Sequence, residues 1–235
     1  MSSILYYTVV NYFVAQATLE VIVIDTKLFL DIDSSEISSL LACIGARFVN
    51  FKKDEFIIEE GEMAKEFGII LSGRARSIKW DASGRLIIIT LIEKGGAIGV
   101  MLAASKKQAS PVSVQVTEDA EVMMISFNQL INRCKKNCEK HEKLLRNYIN
   151  VVAEKGLELH ERINCLLEPT VRDKILTYLS RISKEQGSKT FTVPINRNIM
   201  AEYLNVERSA LSRELSRMQK DGLIEYHGNS FKLKI

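Results

Sequence analysis

Residues 195–220 read INRNIMAEYLNVERSALSRELSRMQK, and this stretch predicts two short helices joined by a tight turn. Asn196 is suited to cap a first helix carrying Ile199, Met200, Tyr203 and Leu204, with Ala201 small enough for a second helix to cross closely. Asn205 marks the turn, because its short amide tolerates the left-handed conformation, and Val206 supplies an apolar plug. At about 100° per residue, Leu211, Leu215 and Met218 share one side of the second helix. Arg208, Ser209, Ser212, Arg213, Ser216 and Lys220 share the opposite side, without a carboxylate among them. Such a strip suits DNA. Arginine donates two bonds to the guanine O6 and N7 edge, serine lets the backbone approach, and lysine finds phosphate. Taken alone, the strip also fits a solvated amphipathic face. Glu214 sits beside the apolar side and is expected to lean toward solvent or a basic partner.

Working outward, Gly222 ends the second helix, and residues 223–226 and 230–235 predict a hairpin about His227, Gly228 and Asn229. Phe231, Leu233 and Ile235 point inward and Lys232 and Lys234 outward, which makes this hairpin a wing. From Pro169 onward there are 12 Lys and Arg against 7 Asp and Glu, whereas the whole 235-residue chain carries only +3. The basic C-terminal third therefore implies a polyanionic partner for that part.

Upstream, Thr170 caps a helix over 171–186, and a long helix is predicted over 137–168. Within it Leu145, Ile149, Val152, Gly156, Leu159, Ile163 and Leu166 follow the 4, 3 rhythm of a two-stranded seam, so a homodimer is expected. Ahead of this helix the period changes. Strands are predicted over 47–52, 56–59, 67–71, 75–80, 86–92, 112–117 and 121–125, with turn signals that include Ser72-Gly73, which implies a small antiparallel β-roll. A short helix capped by Ser34 or Ser35 precedes the roll.

The chain thus reads as an α+β protein in four parts: an N-terminal extension over 1–26, a roll over 27–136, a dimerisation helix over 137–168 and a winged helix-turn-helix over 169–235. Residues 1–26 contain no Lys or Arg and many apolar residues, but Asn11, Gln16 and Glu20 interrupt the run, and no membrane segment is expected. Four cysteines without a CxxC pair fit a reducing cytoplasm. No phosphate-cradling loop, nucleophile elbow or paired metal-binding histidines are present, so an enzyme is not expected. Cys134, Cys138 and His141 share one face if a single helix runs through them, which makes a candidate metal or oxidant site; buried structural cysteine is the plainer reading.

In its order of roll, long helix and winged helix-turn-helix, the chain resembles the CRP/FNR family of bacterial transcription regulators. The resemblance rests on EGEMAKEFGIILSGRARSI, IEKGGAIGVM, PTVRDKILTYL and ERSALSREL. It implies base reading by Arg208, Ser209, Ser212 and Arg213, and phosphate contacts at Asn196, Arg197 and His227, alongside Lys220. It also implies RNA polymerase as a partner and an effector pocket in a cyclic-nucleotide-binding-like roll, at Gly99, Val100, Met101 and Ser110, with Leu157 of the long helix. Two departures change what the pocket is expected to hold. Val100 and Ser110 stand where nucleotide-binding members place a glutamate and an arginine, so cyclic AMP is not expected, although Lys106 and Lys107 leave another anion open. Residues 1–50 offer only Cys43, so an iron-sulfur cluster is not expected. The expected function is a homodimeric regulator that reads a palindromic operator under an unidentified effector or redox signal. The alternative is a sensory module for a cyclic nucleotide or other small anion, with DNA binding secondary.

Overall fold

A computed structural model describes residues 26–107, 109–132 and 139–234. The expectations for residues 1–25, for Cys134 and Cys138, and for Ile235 lie outside the described residues. By their contacts the residues divide into two units. One runs up to Ser77 and includes Leu91–Gly156; the other joins Ile78–Thr90 to Leu157–Ile235. This division falls inside the long helix and takes a hairpin tip out of the roll, a partition that the sequence boundaries do not anticipate.

In the first unit, helix α1 (Ser34–Cys43) begins at Asp33, whose carboxylate accepts from the Ser35 amide at 2.9 Å. The cap is therefore one residue earlier than expected, and a carboxylate serves there at least as well as a hydroxyl. Strands β1 (Arg47–Phe51), β2 (Phe56–Ile58), β3 (Glu66–Trp80), β4 (Leu86–Ile92), β5 (Ala97–Ile98) and β6 (Ser113–Ser126) form a six-stranded sheet in the order β1-β6-β3-β4, with β2 on β6 and β5 on β3. Two pairs of expected strands are each one strand: 67–71 with 75–80 is β3, and 112–117 with 121–125 is β6. Ser72-Gly73 is not a turn. Gly73 has φ +80 inside β3, and an added Cβ there would lie 2.2 Å from the Asp119 carbonyl oxygen. The glycine lets the strand bend past β6 without ending it.

Phe67 to Leu71 are all buried because β3 is covered on both faces. Phe67, Ile69 and Leu71 pack with Ile37, Leu40, Met123 and Ile125, while Ile70 packs into the other cluster with Ile58, Val114, Val116 and Val122. Short helices α2 (Val100–Ala103) and α3 (Phe127–Ile131) close the roll, and α4 (Glu139–Leu167) follows. The N-terminal half of α4 enters the first cluster through Leu144, Tyr148 and Val151. Tyr148 packs its ring at a tilt against Phe67, 4.8 Å between centroids, and donates its hydroxyl to the Val100 carbonyl at 2.5 Å. Burial pushes its pKa up to about 12 from 10.0. A raised phenol pKa contributes stability that is complete below pH 10 and is lost as pH rises toward 12. Alkaline titration of unfolding should show that loss, and Tyr148→Phe should remove it while costing about 1–3 kcal/mol at neutral pH, because the Val100 carbonyl loses its donor.

In the second unit, α5 (Val171–Glu185) is capped by Thr170, whose hydroxyl accepts from the Asp173 amide at 3.1 Å. Strand β7 (Thr190–Thr192), helices α6 (Arg197–Leu204) and α7 (Arg208–Lys220), and the hairpin β8 (Ile224–His227) and β9 (Ser230–Leu233) complete it. The small sheet runs β7-β9-β8. Phe231 lies 6.3 Å from Phe191 and 5.7 Å from Tyr226, ring to ring, and is 1% exposed, so the wing is anchored by aromatic packing.

Candidate DNA interface and effector pocket

Helix α6 starts where expected. The Asn196 side chain accepts from the amides of Asn198 at 2.9 Å and Ile199 at 3.1 Å, which satisfies two of the donors a helix start leaves free. Asn205 has φ 52 and ψ 52, the left-handed turn that its side chain tolerates. Helix α7 then buries Leu211, Leu215 and Met218. Arg208, Ser209, Ser212, Arg213, Ser216 and Lys220 are all exposed, so the structure brings the whole expected strip onto one open face.

Glu214 finds its basic partner. Arg172 on α5 donates through Nε to Glu214 at 2.6 Å and lies 2.7 Å from Asp221 through Nη2, while Arg217 approaches Glu214 at 3.5 Å. The bond to Glu214, followed by that to Asp221, raises the Arg172 pKa. The carboxylate is thereby drawn away from the outward strip, leaving the strip's positive potential intact. This clamp was legible only in half: Glu214 was out of place in the helix pattern, but nothing local in the sequence points to Arg172.

Of the expected phosphate contacts, Lys220 and His227 are exposed, the latter at the end of β8. Arg197 is placed differently. Its Nη2 donates to the Gly228 carbonyl at 2.7 Å, and its guanidinium lies 4.6 Å from the Phe231 ring and 4.9 Å from the Tyr226 ring. Burial pulls its pKa down. It ties α6 to the wing as well as lending charge to that surface.

The expected effector residues fall in two units. Gly99 precedes α2, Val100 is 2% exposed, Met101 is exposed, and Leu157 lies on α4 in the second unit, 66% exposed. Ser110 is buried, with its hydroxyl donating to the Val112 carbonyl at 2.6 Å and its amide to Glu62 at 2.9 Å. That hydroxyl is committed to its own loop. Position 100 offers an aliphatic group to the core rather than a carboxylate.

Along α4, Ile149 and Ile163 are more than half exposed and Gly156 has nothing near its Cβ position, whereas Leu145 and Val152 lean on the first unit's core. The outer edge of the predicted seam is thus an open apolar stripe, extended by Leu167, which is 75% exposed. His141 is buried with Nε2 2.6 Å from the Leu130 carbonyl. Among the described residues no cluster of His, Cys, Asp and Glu suits a metal, and no helix is long and apolar enough to cross a membrane. Cys43 is an exposed thiol and Cys165 a buried one.

Comparison with known proteins gives two family models, the cyclic nucleotide-binding domain over residues 48–137 and the Crp-like helix-turn-helix domain over 173–235. Similar proteins include the transcriptional activator protein Anr of Pseudomonas aeruginosa, 24% identical over 75% of this chain and 72% of that protein. The transcriptional activator protein FnrA of Stutzerimonas stutzeri is 22% identical over 77% and 74%. Among solved structures, the c-di-GMP responsive global regulator CLP of Xanthomonas campestris superposes with a TM-score of 0.66 at 19% identity, covering 86% of this chain and 99% of that one. FixK2 of Bradyrhizobium japonicum gives 0.61 at 20%, covering 81% and 93%.

Proposed function

Because the chain belongs to the CRP/FNR family of transcription regulators, we propose that it works as a homodimer that reads a palindromic operator through α7. The observation that carries this reading is the open strip on α7: three cations and three hydroxyls, all exposed, with the nearby carboxylate of Glu214 held by Arg172. Arg213 and Arg208 read base edges, Ser209 and Ser212 allow close approach, and Asn196, Arg197, Lys220 and His227 meet phosphate. The open stripe of Ile149, Gly156 and Ile163 supports dimerisation through α4. Two copies of α7 then enter successive major grooves about one helical turn apart.

The roll over 27–136 is the sensory part in this reading, with 137–168 joining the two copies and 169–235 reading DNA. Val100 and Ser110 favour an effector other than cyclic AMP, since a buried phosphodiester would meet neither counter-charge nor free hydroxyl there. The names of the two activator relatives support RNA polymerase as the partner of the bound dimer, and in this reading the protein works in the cytoplasm.

Salt dependence tests the reading. A dimer that neutralises several phosphates should lose affinity linearly on a log-log plot as salt rises, while keeping its preference for one palindrome. Lys220→Ala should weaken all sequences about equally and lower the magnitude of that slope by about 1 per subunit, measured by fluorescence anisotropy on specific and random duplexes. Salt-insensitive binding, or no DNA binding at all, would favour a sensory module with another output.

A further inference from the structure

The second unit contains a group that DNA reading does not use. Arg162 on α4 is 3% exposed, donates through Nη2 to the Ile88 carbonyl at 3.0 Å, and stacks on the Tyr203 ring at 3.8 Å. Its Nε and Nη1 are buried without a hydrogen-bond partner. The groups acting on its charge are Tyr203, Cys165, Arg181 and Tyr178, with no carboxylate among them, and burial pulls its pKa down. A buried guanidinium in this state is costly, since burying a charge is offset only by a counter-charge and full hydrogen bonding.

Beside it lies a cavity of about 400 Å³ whose wall includes Asn164, Cys165, Tyr178, Arg181, Lys184 and Tyr203. All four groups acting on Arg162, the two tyrosines, Cys165 and Arg181, thus form part of the wall itself. Arg181 adds a second guanidinium, already 2.6 Å from Glu185, and Lys184 adds an ammonium on the exposed rim. Glu161 brings one carboxylate to a wall that also carries Arg181 and Lys184, so with Arg162 and the Glu185 that pairs with Arg181 the local balance is three cations against two carboxylates. The chemistry is a positive field over aromatic faces, in a space far larger than an inorganic oxyanion needs.

We propose that this cavity binds a small organic anion, with a carboxylate-type group held by Arg181 and Lys184 in the field of Arg162 and an apolar body against Tyr178, Tyr203 and Leu176. Tyr203 belongs to α6, the first helix of the pair, so occupation links α4, α5 and α6 and gives the DNA-reading unit a ligand input of its own. The site stands without the DNA reading; only that coupling rests on it.

The test is calorimetric titration of the full chain with sodium benzoate, using benzamide as the neutral isostere. Saturable benzoate binding at one site per chain is expected, with benzamide at least about tenfold weaker. Arg162→Met should weaken benzoate by about tenfold or more, and Lys184→Met by several-fold. Lys184 is exposed, so its variant remains informative even if Arg162→Met fails to fold. Absence of saturable benzoate binding, equal binding of benzamide, or affinity unchanged in Lys184→Met would overturn the proposal. Since no DNA is present, such a failure is separate from any failure of DNA reading.

Discussion

Arg213→Ala is expected to cost about 1–3 kcal/mol at each half-site, hence about 2–6 kcal/mol for a dimer on a palindrome, and to relax sequence preference at the position it reads. Arg213 is exposed on α7, on the face opposite Leu211, Leu215 and Met218, so its loss leaves the packing of the helix untouched. On the proposed reading, a base contact is all that the substitution removes. The same face carries Arg208 and Lys220, so non-specific binding should fall less than specific binding. Affinity for the preferred duplex and for a panel mutated one base pair at a time is the measurement. A uniform loss across that panel would make Arg213 a phosphate ligand instead.

The second large effect is on stability. Gly73→Ala should destabilise the roll by more than about 3 kcal/mol, because strain and collision act together. With φ at +80, a Cβ at this position would lie 2.2 Å from the Asp119 carbonyl oxygen and 2.7 Å from the Ala120 Cα, both backbone atoms of β6 that cannot rotate away. Gly61 provides the control within the same unit. Its φ is +86, but a Cβ there meets nothing within 4 Å, so Gly61→Ala should cost only the backbone term, about 1–2 kcal/mol. Urea unfolding followed by circular dichroism compares the two. Equal losses would show that φ alone, without the close approach of β6, sets the requirement for glycine at 73.

These two residues also show what could be read from the chain alone. The α6-α7 pair was legible because its signals are local: a cap at Asn196, a left-handed residue at Asn205 and a 3.6-residue period that separates Leu211, Leu215 and Met218 from Arg208 and Arg213. Gly73 misled for the opposite reason. A glycine beside a serine reads as a turn from its neighbours, yet what demands it is the backbone of Asp119, distant in sequence, and so the local pattern predicts two strands where there is one. The seam on α4 was half legible, since its period marks an apolar stripe but does not say that Leu145 and Val152 lean on the chain's own core while Ile149 and Ile163 stay open. Arg162 was invisible. A charged residue on a long helix reads as solvated, and only the surrounding Ile88, Tyr203 and Cys165 reveal its burial.

The most direct measurement of the central claim is selection of duplexes from random DNA by the full-length protein, followed by sequencing of the bound pool. Symmetric DNA reading predicts an enriched palindrome whose half-sites are centred about 10 base pairs apart, with guanine at the position that Arg213→Ala relaxes. A pool with no enriched motif, or a single asymmetric half-site unaffected by that substitution, would contradict it.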